Sequence, residues 1–260
     1  MKQRKDAIIN LVILAVTLVI NGLGAVGFIN GNSQKEISDR YLTLITPSPS
    51  TFSIWSVIYV LLIASSIVMI VKSNEEYYKN VINKITPLFR LSSLLNIFWI
   101  VIFSYEQLAI SVLFIFGFLI VLSLILERLL SIPSQGKFLI PLTFGMYTGW
   151  LFIATVVNIS ATLVKMNWNG FNISENIWAI ATVVVAVVLV FLVNTKNKNA
   201  VFPLPIAWAL FGINKFLRAP EGFAGMYPML EKVTIGGLVF LVLVAFYRFY
   251  QNKYKIIPEV

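Results

Sequence analysis

Apolar residues in this chain run in blocks of membrane-crossing length, separated by short polar gaps. A helix needs about 20 apolar residues to traverse about 30 Å of hydrocarbon. Eight stretches approach that length: 7–29, 52–72, 87–105, 108–126, 138–164, 177–194, 200–215 and 233–249. The pattern predicts an all-α fold, a polytopic transmembrane helix bundle of about eight spans. The seventh stretch is short and interrupted by Pro203 and Pro205, so it reads as a kinked or re-entrant helix. The opening MKQRKD and the apolar run from Ala7 have the order of a signal peptide. No small-residue cleavage site follows cleanly, and the apolar character continues to Ile29, so a retained first helix is expected.

Two of the polar gaps are long. Asn30 to Thr51 is long enough to fold over the first two helices, and Pro47 and Pro49 stiffen its entry to the second, which makes it a candidate lid. KMNWNGFNISEN, Lys165 to Asn176, divides the chain into five helices over 1–165 and three over 166–260. With eight spans, 14 of the 20 Lys and Arg fall on the N-terminal side and 6 on the other. Both termini are therefore expected in the cytoplasm.

Composition agrees with a membrane solvent. The chain is 58% hydrophobic and 12% charged, with a mean hydropathy of +0.86, against about 25% charged in soluble domains. A net charge of +9 raises the possibility of a nucleic-acid partner, but the basic residues form no stripe and sit in the gaps, where membrane orientation explains them. The lipid bilayer is the expected partner, not nucleic acid. Cysteine and histidine are absent, which removes disulfides, the common zinc sites, Ser/His/Asp and Cys/His triads and the commonest axial haem ligands. No metal site or catalytic residue is expected. Abundant Lys, Ile and Asn point to an AT-rich bacterial genome and hence a bacterial plasma membrane.

What chemistry remains is aromatic. Phe52, Trp55 and Tyr59 stand at i, i+3 and i+7, so they share one face of the second helix. Asn96 and Trp99 share a face of the third. Tyr147, Trp150, Ala154 and Asn158 form one stripe on the fifth. An unpaired amide is costly in lipid, so both asparagines should face the bundle interior. Each of these residues has a plain alternative: the amides as interhelical hydrogen-bond glue, the rings as packing or an interfacial belt.

PSPSTFSIWSVIY, LLNIFWIVIF and YTGWLFIATVVN, in this order and on these helices, resemble the second, third and fifth helices of the TspO/MBR family, the translocator or tryptophan-rich sensory proteins. The resemblance covers residues 1 to about 165 and implies a five-helix core whose long first loop caps a ligand cavity. It also implies that Trp55, Trp150 and Asn96 line a pocket for porphyrins and other flat hydrophobic ligands, with Trp99, Tyr147 and Asn158 in support. The chain departs from the family's shorter members in four ways. Phe52 and Trp55 are three apart instead of four, the tryptophan usual before that phenylalanine is missing, no proline stands just before Tyr147, and residues 166–260 have no counterpart.

Other residues read more plainly. Arg90 is placed to snorkel at a cytoplasmic helix end, Glu106 to be solvated in an external turn, and Glu127 with Arg128 to mark a helix boundary. Small-residue faces at Gly22 and Gly24 to Gly27 or at Gly145 and Gly149 serve either internal packing or a homodimer contact. The leading functional expectation is a membrane-embedded binding and sensory-regulatory protein that takes a flat apolar ligand, with a metal-free tetrapyrrole the easiest fit and no resident cofactor. A secondary transporter or exporter of small hydrophobic compounds is the alternative, motivated by eight spans and the interrupted seventh stretch. A third is an enzyme that degrades its ligand, although no acid, base or nucleophile is arranged for catalysis.

Overall fold

The computed structural model describes residues 1–134 and 136–259, and every regular element among them is helical. In chain order these are α1 (Lys2–Ala25), α2 (Gln34–Arg40), a 3-10 turn (Pro49–Ser53), α3 (Ile54–Val71), α4 (Glu76–Ser104), α5 (Leu108–Leu130), α6 (Leu139–Lys165), a second 3-10 turn (Gly170–Asn172), α7 (Glu175–Asn197), α8 (Pro203–Arg218) and α9 (Pro228–Gln251). Seven are long and apolar enough to span, counting the first 3-10 turn together with α3. α8 has 16 residues, about 24 Å of helix, and falls short of the hydrocarbon thickness. Of the about eight spans expected, seven are long helices and the weak seventh stretch is the short α8.

The first five long helices close a ring. α1 packs on α3 and α4, α4 on α5, α5 on α6, and α6 on α3. α8 then packs on α6, α9 on α8, and α7 on α9. Side-chain contacts define two poles. At one, Arg90 bridges Asp6 and Asn10, Asn252 meets Lys198, and Gly136 meets Glu259, so both termini lie there. At the other, the loop after α1 meets Glu106, and Lys215 meets Ser50. Arg90 thus ties α1 to α4 and does more than snorkel.

α8 is sunk into the bundle and is not broken. Pro203 is its first residue and Pro205 lies in the same turn, where a missing N–H costs no intrahelical bond, so the helix runs unkinked to Arg218. Its entry is fixed by Asn199, which is fully buried. The Asn199 amide donates to the Pro141 carbonyl at 2.8 Å, and its Oδ1 accepts from the Val201 and Phe202 amides at 2.9 and 3.2 Å. Gly145 and Gly149 of α6 make room for this: a Cβ would lie 2.4 Å from Asn199 Oδ1 at Gly145, and 2.3 Å from the Phe202 carbonyl at Gly149. The glycine pair serves internal packing, a small-residue interface of the membrane kind.

Because the Phe202 carbonyl is backbone and cannot rotate away, Gly149→Ala must push α8 outward. We expect a loss of about 1–3 kcal/mol, read as a lowered unfolding midpoint in detergent, whereas Gly22→Ala, which meets no atom within 4 Å, should not lower it.

Candidate functional site

Lipid leaves a buried amide no water to bond, so the polar residues of the ring must find one another. They do so across four helices. Tyr59 of α3 donates to Asn21 Oδ1 of α1 at 3.0 Å. Asn21 Nδ2 donates to Asn96 Oδ1 of α4 at 3.2 Å and to the Thr17 carbonyl at 2.8 Å. Asn96 Nδ2 in turn donates to the Tyr147 hydroxyl of α6 at 3.0 Å. Asn21 was not among the sequence-predicted residues, though an asparagine inside the first apolar block is a signal of the same kind as Asn96.

Against this chain of polar groups sits a cluster of rings with Trp55 at its centre. Its ring centroid lies 5.4 Å from Tyr59, 6.3 Å from Trp99, 6.2 Å from Tyr147 and 6.1 Å from Trp150. Phe52, carried by the 3-10 turn, meets Trp150 edge-on at 6.1 Å, and Phe118 of α5 meets Tyr147 at 5.4 Å. These separations are those of aromatic pairs in direct contact. Seven of the eight predicted residues therefore come together. They do so as a packed cluster, where a shared hollow was expected. Asn158 stands apart and pairs with Ser111 of α5 at 3.2 Å.

The cluster has a firm side and a loose side. Trp150 and Trp99 are 2% and 7% exposed, whereas Phe52, Trp55 and Tyr59 on α3 and its turn are half-buried. The indole N–H groups of Trp99 and Trp150 are both buried and have no acceptor. Such orphaned donors are uncommon. They suit a ligand that carries acceptor atoms along with a flat apolar body.

The loop after α1 is tied at both of its ends. Ser33 and Glu36 cap α2 reciprocally. Beyond α2, Glu106 in the α4–α5 turn accepts from Tyr41 Oη at 2.7 Å and pairs with Arg40, while its own carbonyl accepts from Lys165. Glu106 is thus a latch for the loop and not a merely solvated turn residue. The Tyr41 hydrogen bond, with help from the nearby Arg40 and Lys165 charges and against a smaller opposing effect of burial, holds its carboxyl below the usual carboxylate range. At the far end, Ser48 N donates to the Gly212 carbonyl at 3.0 Å, and Trp208 Nε1 donates to the Thr51 carbonyl at 2.9 Å. Both partners belong to α8.

The chain matches the family model described as TSPO-like protein over residues 7–250, a range that runs through α7, α8 and most of α9. Comparison with curated proteins and with solved structures finds no match.

Asn96→Ala leaves the Tyr147 hydroxyl and one Asn21 contact unpaired inside the bundle. A loss of about 1–2 kcal/mol is expected, measured by thermal unfolding in detergent, with Asn158→Ala additive to it because its partner Ser111 lies outside the chain of polar groups.

Glu106 has a lowered pKa in the folded chain, so its contribution is present above the ordinary carboxylate value, about 4.3, and is lost as pH falls through the folded value. Amide exchange over Gln34–Arg40 should stay protected at pH 6 and open in acid. Glu106→Gln should show the open behaviour already at pH 6.

Proposed function

The chain belongs to the TSPO-like protein family and is a multi-pass membrane protein; from that premise we propose that it binds a flat hydrophobic ligand, porphyrin-like in shape, within the aromatic cluster and transmits the binding event as a sensor or regulator. The observation that carries this reading is the convergence on Trp55 of rings from α3, α4 and α6. The two acceptor-less indole N–H groups on the firm side support it. Stacking on Trp55, Trp99 and Trp150 would hold the ligand's faces, and acceptors on its rim would satisfy Trp99 and Trp150.

The packed rings must part for a ligand to enter. The half-buried side, α3 and the Pro49–Ser53 turn, is the side that yields at least cost. That turn carries Phe52, and α8 holds it through Ser48 and Thr51. Displacing Phe52 therefore loads α8, which gives ligand binding a route to a change of shape. The uninterrupted course of α8 withdraws the broken helix that motivated a carrier. With no histidine or cysteine in the chain, a metal-free tetrapyrrole suits the cluster better than haem. The 14-to-6 division of basic residues favours an orientation with both termini on the cytoplasmic side.

Protoporphyrin titrated into the purified protein should quench tryptophan fluorescence saturably. In Trp55→Ala and in Trp150→Ala the affinity should fall by about three- to tenfold, the equivalent of one lost aromatic contact. Titration curves that are the same in wild type and both variants would remove the proposal.

A further inference from the structure

α6 and α7 follow one another in the chain but part company where the linker joins them. α7 packs on α9, and a cavity of about 680 Å³ lies between its first two turns and the end of α6. That is within the range of about 300–1,000 Å³ that holds drug-sized molecules. None of the aromatic and amide residues described above lines it.

Its walls are ordered. Glu175, Trp178, Ala179 and Thr182 recur at i, i+3, i+4 and i+7, so one face of α7 is presented to it. Val156, Ile159, Ser160 and Leu163 repeat that spacing on α6. The loop segment Leu42–Ile45 closes a third side, and its Leu44 and Ile45 are buried. The expected lid thus covers a cavity, but one on the outer flank of α6 and not inside the five-helix ring.

The mouth carries the chemistry. Trp168 and Trp178 have ring centroids 5.1 Å apart at an interplanar angle of 57°. Trp178 Nε1 donates to the Gly170 carbonyl at 2.8 Å. Gly170 has a φ of +61°, and a Cβ there would stand 3.1 Å from Trp178 Nε1, so glycine lets the indole lie against the linker backbone. Among the lining residues Glu175 alone is ionisable, and no Lys or Arg joins it. The nearest linker cation, Lys165, is engaged with the Glu106 carbonyl. An apolar chamber whose rim offers two indole faces and one carboxylate is selective by sign: it stabilises a positive charge through the ring quadrupoles and the carboxylate, and repels an anion.

We propose that this cavity is a binding site for lipophilic cations, with the apolar body between α6 and α7 and the cationic centre against Trp168, Trp178 and Glu175. The site is independent of the ligand suggested for the aromatic cluster.

The test uses the full-length protein in nanodiscs of zwitterionic lipid, with tetraphenylphosphonium as the probe, tetraphenylborate as its anion of like shape, and empty nanodiscs as the baseline. Equilibrium dialysis should show one saturable tetraphenylphosphonium site per chain above baseline. Affinity should fall at least about threefold in E175Q and about tenfold in W168A, the scale of one cation–aromatic contact, and tetraphenylborate, dialysed separately, should show no saturable uptake above baseline. E175Q should keep the wild-type protoporphyrin response, which shows the variant to be folded and separates the two sites. Uptake no greater than in empty nanodiscs, wild-type affinity in both variants, or saturable tetraphenylborate uptake of equal affinity in a separate dialysis would each overturn the proposal. Loss of protoporphyrin binding in the wild type, with tetraphenylphosphonium binding intact, would overturn the reading of the aromatic cluster and leave this one standing.

Discussion

In hydrocarbon an amide or phenol with no partner costs more than most packing contacts return, and that asymmetry organises this bundle. Tyr59, Asn21, Asn96 and Tyr147 come from α3, α1, α4 and α6, and no two share a helix. Each can be satisfied only if the four helices take one rotation and one depth. The Ser65–Thr143 pair at 2.7 Å repeats the device between α3 and α6 nearer the opposite pole. Apolar side chains against lipid tails give no such instruction, since sliding a leucine by one turn leaves its solvent unchanged. The position of the rings around Trp55 follows from these polar bonds, because Tyr59 and Tyr147 belong both to the hydrogen-bonded chain and to the aromatic cluster.

The three C-terminal helices are joined to that organisation at a point that matters. α8 enters beside α6 through the Gly145 and Gly149 gap and leaves beside the Pro49–Ser53 turn, where a Cβ on Gly212 would lie 1.9 Å from Thr51 Oγ1. It therefore contacts both the helix that carries Trp150 and the turn that carries Phe52. On the far side it is locked to α9, where Asn214 donates to the Glu231 carbonyl and to Thr234, and Arg218 pairs with Glu231. A residue count alone would make α8 a failed span. Its contacts make it a strut between the ring and α9.

Much of this was legible in the sequence, for a physical reason. Membrane helices are written in runs of apolar residues, so their number and rough limits follow from hydropathy, and period 3.6 places Trp55 with Tyr59, Asn96 with Trp99, and Tyr147 with Trp150 on common faces. Other features lay beyond that signal. The first three turns of α4, from Glu76 to about Thr86, alternate Tyr77, Tyr78, Val81 and Ile82 with charged and amide residues and lie buried on the apolar side; a scan for apolar runs passes over such an amphipathic stretch. Pro203 and Pro205 read as a break because spacing does not reveal that they occupy a first turn. Glu106 read as solvated because its partners, Tyr41 and Arg40, are more than 60 residues away in the chain. Asn158 shares its stripe with Tyr147 and yet stands apart from the rings, because it lies about three turns further along α6, where Ser111 of α5 faces it.

The packing of the rings also bears on how a ligand would be admitted. Trp99 and Trp150 are held by helices with neighbours on both sides, α4 between α1 and α5 and α6 between α3, α5 and α8. α3 packs on α1 and α6 less extensively than α4 does on α1 and α5, and its Ser56, Val57 and Val60 face outward. Parting the cluster at the Trp55 end of α3 breaks the Tyr59 bond to Asn21 and the contacts of Trp55, while the Ser65–Thr143 pair still holds the other end of α3 to α6. Parting it at α4 or α6 breaks the Asn96 centre, with bonds to both sides, and in α6 also the glycine-fitted seat of α8. The cost of opening is thus distributed unevenly, and the uneven distribution selects the path. The face of the bundle formed by α3 and the Pro49–Ser53 turn is where a flat molecule would reach the buried indole N–H groups at the loss of the fewest polar bonds that set the helices in register.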